Sequence, residues 1–268
     1  MHKALFRKYL NTVISFLEKK YVNELISIVL FGSMINLGEK KNKEYTDVDL
    51  LVIVRDNCSV TLFNKIKQSL LAIEDVFFSF YRENEISIFK GLQSATGMFV
   101  NIFVCRYSDF RERKFRVFNV NRIMEKLAPQ NSVWWSIHKQ HRIIWGENVF
   151  RNWETFPVLT IGDLIRSFLM NWLLAVGALF FSPFYSQSAK FSMESMKWSL
   201  FTWRNYCRLP LFTPNQLIKI FSRRASILEL QALSGFVEYR RKKTFNTHFP
   251  LLAMIFVILI HWSLFHSK

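Results

Sequence analysis

Residues 28–54 read IVLFGSMINLGEKKNKEYTDVDLLVIV, two apolar runs joined by a polar segment that opens on Gly32-Ser33 and closes on Asp47-Val48-Asp49. The flanking runs, 26–31 and 48–54, are short and rich in β-branched residues, which predicts strands. In a strand, residues two apart project from one face, so Asp47 and Asp49 share a face while Val48 and Leu50 turn to the core. Two carboxylates on an apolar strand cost free energy unless something neutralises them. Mg²⁺ is suited to that task, because it takes oxygen ligands and keeps positions for water and substrate phosphates. Gly32 lets the backbone approach a phosphate closely, Ser33 adds a hydroxyl, and the amides of the following turn can cradle an anion. The competing reading is structural, with Asp47 capping a turn and Asp49 pairing with a lysine.

Outward from this stretch, residues 3–25 carry apolar positions at helical spacing and 59–74 do the same. Further strands are expected over 76–89 and 98–105. Short helices are expected over 117–127 and 131–139, and an extended segment over 141–145. Residues 151–160, with Pro157, read as a linker. Beyond it the pattern is helical over 161–181, 189–207, 215–224 and 226–242, with Thr213-Pro214 as a helix start. The expectation is an α+β chain. A small mixed sheet with flanking helices occupies 1–150, and an all-α helical bundle with a very apolar last helix occupies 151–268.

The motif resembles that of the DNA polymerase β-like nucleotidyltransferase superfamily, hG[GS] followed by [DE]h[DE]h. Here it is Leu30-Phe31-Gly32-Ser33 and then Asp47-Val48-Asp49-Leu50, within about a tenth of the chain. The layout, a small α/β domain before a helical bundle, is also similar to that of aminoglycoside nucleotidyltransferases. The resemblance implies a nucleoside monophosphate moved from an NTP, ATP being the expected one, to a hydroxyl acceptor with Mg²⁺ and pyrophosphate release. Asp47 and Asp49 would be the catalytic metal ligands, and Gly32 and Ser33 would hold the triphosphate. The acceptor, a small molecule, a tRNA or a protein, would enter between the two domains.

One departure stands out. The superfamily supplies a third acidic residue from a later strand, and the matching position here is Asn101. An amide can ligate a metal through its carbonyl but cannot act as a general base. Glu85 and Asp109 are the substitutes in reach, and a nucleotide- or RNA-binding module without turnover is the alternative function. His138 and His141, three apart among tryptophans, read as packing rather than a metal pair.

The chain has 268 residues and a formal charge of +16, which favours polyanionic partners: nucleic acid, nucleotides or an anionic membrane surface. A basic-aromatic face on helix 190–204, with Lys197, Trp198, Trp203 and Arg204, is the candidate for RNA contact, although its tryptophans read rather as core than as surface. Cys58, Cys105 and Cys207 lie far apart in sequence, which argues against a disulfide framework and for a cytoplasmic, reducing setting. From Thr244 to Ser267 no residue is formally charged. Residues 249–265 are therefore either a buried closing helix or a membrane attachment, and a membrane-anchored interaction protein is the third reading.

Overall fold

The computed structural model describes residues 3–32, 35, 48–78, 101–153, 158–185, 188–210, 214–242 and 248–266. The chain forms two compact units, Met1–Lys126 with Ile137–Phe156, and Leu127–Ser136 with Pro157–Lys268.

The first unit is built on a four-stranded sheet in the order β3-β2-β1-β4, from β1 Leu25–Phe31, β2 Asp49–Val54, β3 Ile102–Arg106 and β4 His141–Gly146. β1 runs antiparallel to both β2 and β4, and β2 runs parallel to β3. The continuous apolar runs in β1 and β2 follow from this position, since central strands are covered on both faces. Helices α1, Lys3–Tyr21, and α2, Val60–Phe78, cover one face. Phe6, Tyr9, Val13, Leu17 and Tyr21 recur at helical spacing and are all buried against Ile28, Leu30, Leu50, Val52, Ile102 and Val104. Each such aliphatic side chain contributes about 2 kcal/mol by leaving water. On the other face a 3₁₀ turn, Phe115–Phe118, packs Phe118 5.3 Å from Phe103 and 6.4 Å from Phe31, centroid to centroid. Helix α3, Tyr107–Arg111, lies between β3 and this turn, and α4, Arg122–Leu127, follows it.

Most expected elements form. The run from residue 76, read as a strand, instead continues α2 as far as Phe78, and residues 79–100 lie outside the described set. Val76-Phe77-Phe78 has β-type composition, but Ile66, Leu70, Ile73 and Phe77 keep one helical stripe against the core, and packing overrides propensity.

Helix α5, Gln130–Lys139, divides between the two units, its first turns counting with the second. The second unit holds α6 Ile161–Phe181, α7 Ala189–Tyr206, α8 Pro214–Phe221, α9 Ile227–Lys242 and α10 Phe249–His266. Thr160 starts α6 with a capping box: its hydroxyl accepts from Asp163 N at 3.1 Å, and the Asp163 carboxylate accepts from Thr160 N at 3.1 Å. Helix α7 has no exposed residue and runs through the centre, in contact with α6, α8, α9 and α10. Trp203 and Arg204 are each 2 % exposed, so Trp203 packs in the core, the reading favoured for it, and Arg204 is not a surface cation. Arg204 donates to Asn205 Oδ1 and Ser136 Oγ, and burial draws its guanidinium down to about 10.

Candidate active site

Everything that places this site follows from how β1 ends. Phe31 is the last residue of the strand, and Gly32 turns the chain at φ +76°, a left-handed conformation that costs side-chain-bearing residues about 1–2 kcal/mol. Asp49, the first residue of β2, pairs directly with Phe31. Its carboxylate occupies the space a side chain at 32 would need. A Cβ there would fall within the envelope of Asp49 Oδ2 and 3.1 Å from Cγ. Glycine is thus required twice, by the backbone angle and by the carboxylate lying over it. Two residues seventeen positions apart in sequence become one feature.

Residues paired across antiparallel strands share a face. Phe31 pairs with Asp49 on one side and with His141 on the other, so Asp49, Phe31 and His141 form one row at this end of the sheet. His141 directs Nδ1–H to the His138 carbonyl at 2.8 Å, and its ring stacks on Phe150 with centroids 3.9 Å apart. His138 stacks on Trp153, and burial followed by the charge of His141 lowers its pKa. The two histidines are packed among aromatic rings, as their sequence setting suggested.

Asn101 lies beside this row. Its carbonyl accepts from Leu50 N at 2.7 Å, and the parallel pairing of Leu50 with Ile102 carries it to the level of Asp49. Its side-chain amide donates to Glu74 Oε1 at 3.3 Å, and its backbone N–H reaches the same oxygen at 3.2 Å. Glu74 is fully buried on α2 and was not among the residues read as candidates. The signal was present: Ile66, Leu70 and Glu74 follow at four-residue steps, placing a carboxylate on the stripe that faces the sheet.

Asp109 sits elsewhere. It follows β3, whose last residue Arg106 pairs with Val54 at the opposite end of β2 from Asp49, about 16 Å along the strand. Its carboxylate is held 3.0 Å from Lys114 Nζ and 2.7 Å from Arg116 Nη2. Burial pushes this carboxyl up, but the hydrogen bonds from Arg116 and Lys114 outweigh it and hold the group below the usual range. Glu147 also lies at that far end, its N–H bonded to the Ile26 carbonyl. There it lines a cavity of about 400 Å³ with Arg55, Asp56, Asn57 and Tyr107. Asp47, Ser33 and Glu85 lie outside the described residues. Among the described residues, no group of three or more His, Cys, Asp or Glu is placed to hold a metal ion.

A four-stranded mixed sheet with flanking helices, followed by a helical region, is an α+β, nucleotidyltransferase-like fold. In particular, the chain is similar to the crystal structure of spectinomycin adenyltransferase AAD(9) from Enterococcus faecialis with ATP and spectinomycin. The TM-score is 0.55 with 12 % identity, over 98 % of this chain and 99 % of that one. No protein-family model matches the chain, and no curated protein matches it in sequence.

Proposed function

We propose that the chain is a nucleotidyltransferase that moves a nucleoside monophosphate from an NTP to a hydroxyl acceptor. The observation that carries this reading is the interlock of Gly32 with Asp49 at the paired ends of β1 and β2. A half-buried carboxylate set over a glycine turn supports a role for Asp49 as an acidic ligand at the paired ends of β1 and β2. Asp47 and Asp49 would hold Mg²⁺, with Gly32 and Ser33 at the triphosphate. The chemistry such an ion supplies when bound is neutralisation of phosphate charge and activation of an attacking hydroxyl. The hydroxyl oxygen bonds to the α-phosphorus as the bond to the pyrophosphate oxygen breaks. Pyrophosphate leaves with the electron pair, and the hydroxyl proton passes to base or water.

Similarity to an adenyltransferase crystallised with ATP and spectinomycin supports ATP as the first nucleotide to test and a hydroxylated small molecule as the first acceptor. Free Cys58, Cys105 and Cys207 fit a cytoplasmic setting. A second reading, a nucleotide-binding module without turnover, is favoured by Asn101, whose amide is engaged by Glu74 where the superfamily has a carboxylate.

The test incubates each of the four NTPs, labelled on the α-phosphate, with Mg²⁺ and a panel of hydroxyl acceptors that includes spectinomycin and tRNA. Transfer by the wild type that is lost in Asp47→Asn and Asp49→Asn supports the enzyme. NTP binding without transfer by any acceptor supports the binding module. Neither binding nor transfer would remove both.

A further inference from the structure

By length and composition, α6 and α10 could each cross a membrane, yet both are tied into the bundle. Ser167 on α6 lies 2.6 Å from Thr202 Oγ1 on α7 and 3.2 Å from His261 Nε2 on α10, and Asn171 donates to the same serine. All four side chains are buried. A helix drawn out of this bundle to span lipid would carry these polar groups into hydrocarbon without their partners, which is strongly unfavourable.

What the bundle leaves uncovered is the opposite side of each helix. On α6, Ile165, Leu169 and Leu173 are 44, 38 and 51 % exposed, and on α10 Ile258, Trp262 and Phe265 are 38, 63 and 37 % exposed. Steps of three and four place each set in one stripe. Helices α6, α7 and α10 each pack on the other two, and α7 carries no exposed residue, so the outward stripes of α6 and α10 both lie on the bundle surface. An apolar surface of this kind marks a binding face.

Charge selects the occupant. The chain carries +16, and Arg240, Arg241, Lys242 and Lys243 stand shortly before α10, which itself contains no Asp, Glu, Lys or Arg. A second copy would bring the same charge to the contact, and self-repulsion opposes that. Anionic lipid is attracted by such a cluster. We infer that the outward apolar sides of α6 and α10 dock on an anionic membrane surface, their stripes entering the headgroup boundary without crossing the bilayer. This holds whether or not the chain transfers nucleotides.

The experiment floats the full chain, made without detergent, with phosphatidylcholine vesicles either pure or containing phosphatidylglycerol at about a third of the lipid. Docking predicts flotation with the anionic vesicles only and a several-fold loss in 0.5 M NaCl. Leu173→Glu combined with Trp262→Glu should cut the floated fraction at least tenfold. Val76→Glu on α2, an 80 % exposed position in the other unit, should leave it unchanged. Should the double variant melt early, Arg241→Gln with Lys242→Gln and Lys243→Gln should give the same loss with the apolar stripes intact. The inference fails if the wild type stays down with both vesicle types, or if both variants float like it. It also fails if the protein resists alkaline extraction, which would mean spanning. A dimer in light scattering that the double variant splits, with no vesicle binding, would instead assign the face to a second copy.

Discussion

Both units place polar groups where apolar ones would pack more cheaply, and they do so differently. In the helical unit, Ser167, Asn171, Thr202 and His261 bond one another across three helices, while Asp163 and Asn131 bond across two. Apart from the half-buried Asn131 these groups are buried, and their hydrogen bonds tie helices together. In the sheet unit, Asp49 is half-buried at the first residue of a strand, over a glycine whose missing side chain makes room for it. Polarity that is enclosed between helices holds an architecture together. Polarity set on a glycine at a strand end ties two strand termini into one local feature.

The largest way to break this contrast is at Gly32. Gly32→Ala adds a Cβ into the Asp49 carboxylate, and because that carboxylate is the far end of a side chain it gives way before the strand does. Nucleotidyl transfer should fall about ten- to a hundredfold. Stability should fall by only about 1–2 kcal/mol, from left-handed strain. Urea melts beside the transfer assay separate the two effects. Asp49→Asn should lose transfer to a similar degree with an almost unchanged melt.

The helical unit should respond to acid instead. Burial lowers the pKa of His261 to about 4 from an ordinary 6.5, so the folded state holds it neutral while the unfolded chain takes up a proton. That stability is fully present above pH 6.5 and is lost as pH falls toward 4, by up to about 3 kcal/mol. Following unfolding by urea at pH 7 and pH 4.5 should show the loss, and His261→Leu should flatten the dependence.

Smaller effects sharpen the boundary between site and scaffold. Glu74→Leu removes the acceptor of two Asn101 donors and should cost about 1–3 kcal/mol, most of it regained in Glu74→Gln, which keeps an acceptor oxygen. Asp109→Asn should cost no more than about 1 kcal/mol, as its partners Lys114 and Arg116 are largely solvated. It should leave transfer untouched, because the residue stands at the other end of the sheet.

The strands around Gly32 and Asp49 were legible because a central strand needs apolar residues on both faces, and a glycine and a carboxylate that break such a run are conspicuous. The helical unit was legible for the same reason in another period, and α6 falls where its spacing put it, from Ile161 to Phe181. Asn101 was legible as a departure, but not its partner. Glu74 is joined to it by the packing of α2 on β3, a long-range contact that no local pattern announces. Val76-Phe77-Phe78 misled in the opposite direction, since composition favoured a strand while the stripe begun at Ile66 carried the helix onward. Trp203 is core, as the pattern favoured, whereas Arg204 looked like a surface for nucleic acid because charge is read as exposure, and hydrogen bonds to Ser136 and Asn205 allow it to be buried.

The most direct measurement is pyrophosphate release from an NTP with Mg²⁺ and acceptor, run side by side on wild type, Gly32→Ala and Asp49→Asn of matched folded fraction. If Gly32 and Asp49 form one catalytic feature, both variants fall together to about a tenth to a hundredth of the wild-type rate. Equal rates in all three, or a Gly32→Ala that keeps full turnover while Asp49→Asn loses it, would show that the glycine and the carboxylate do not act as one.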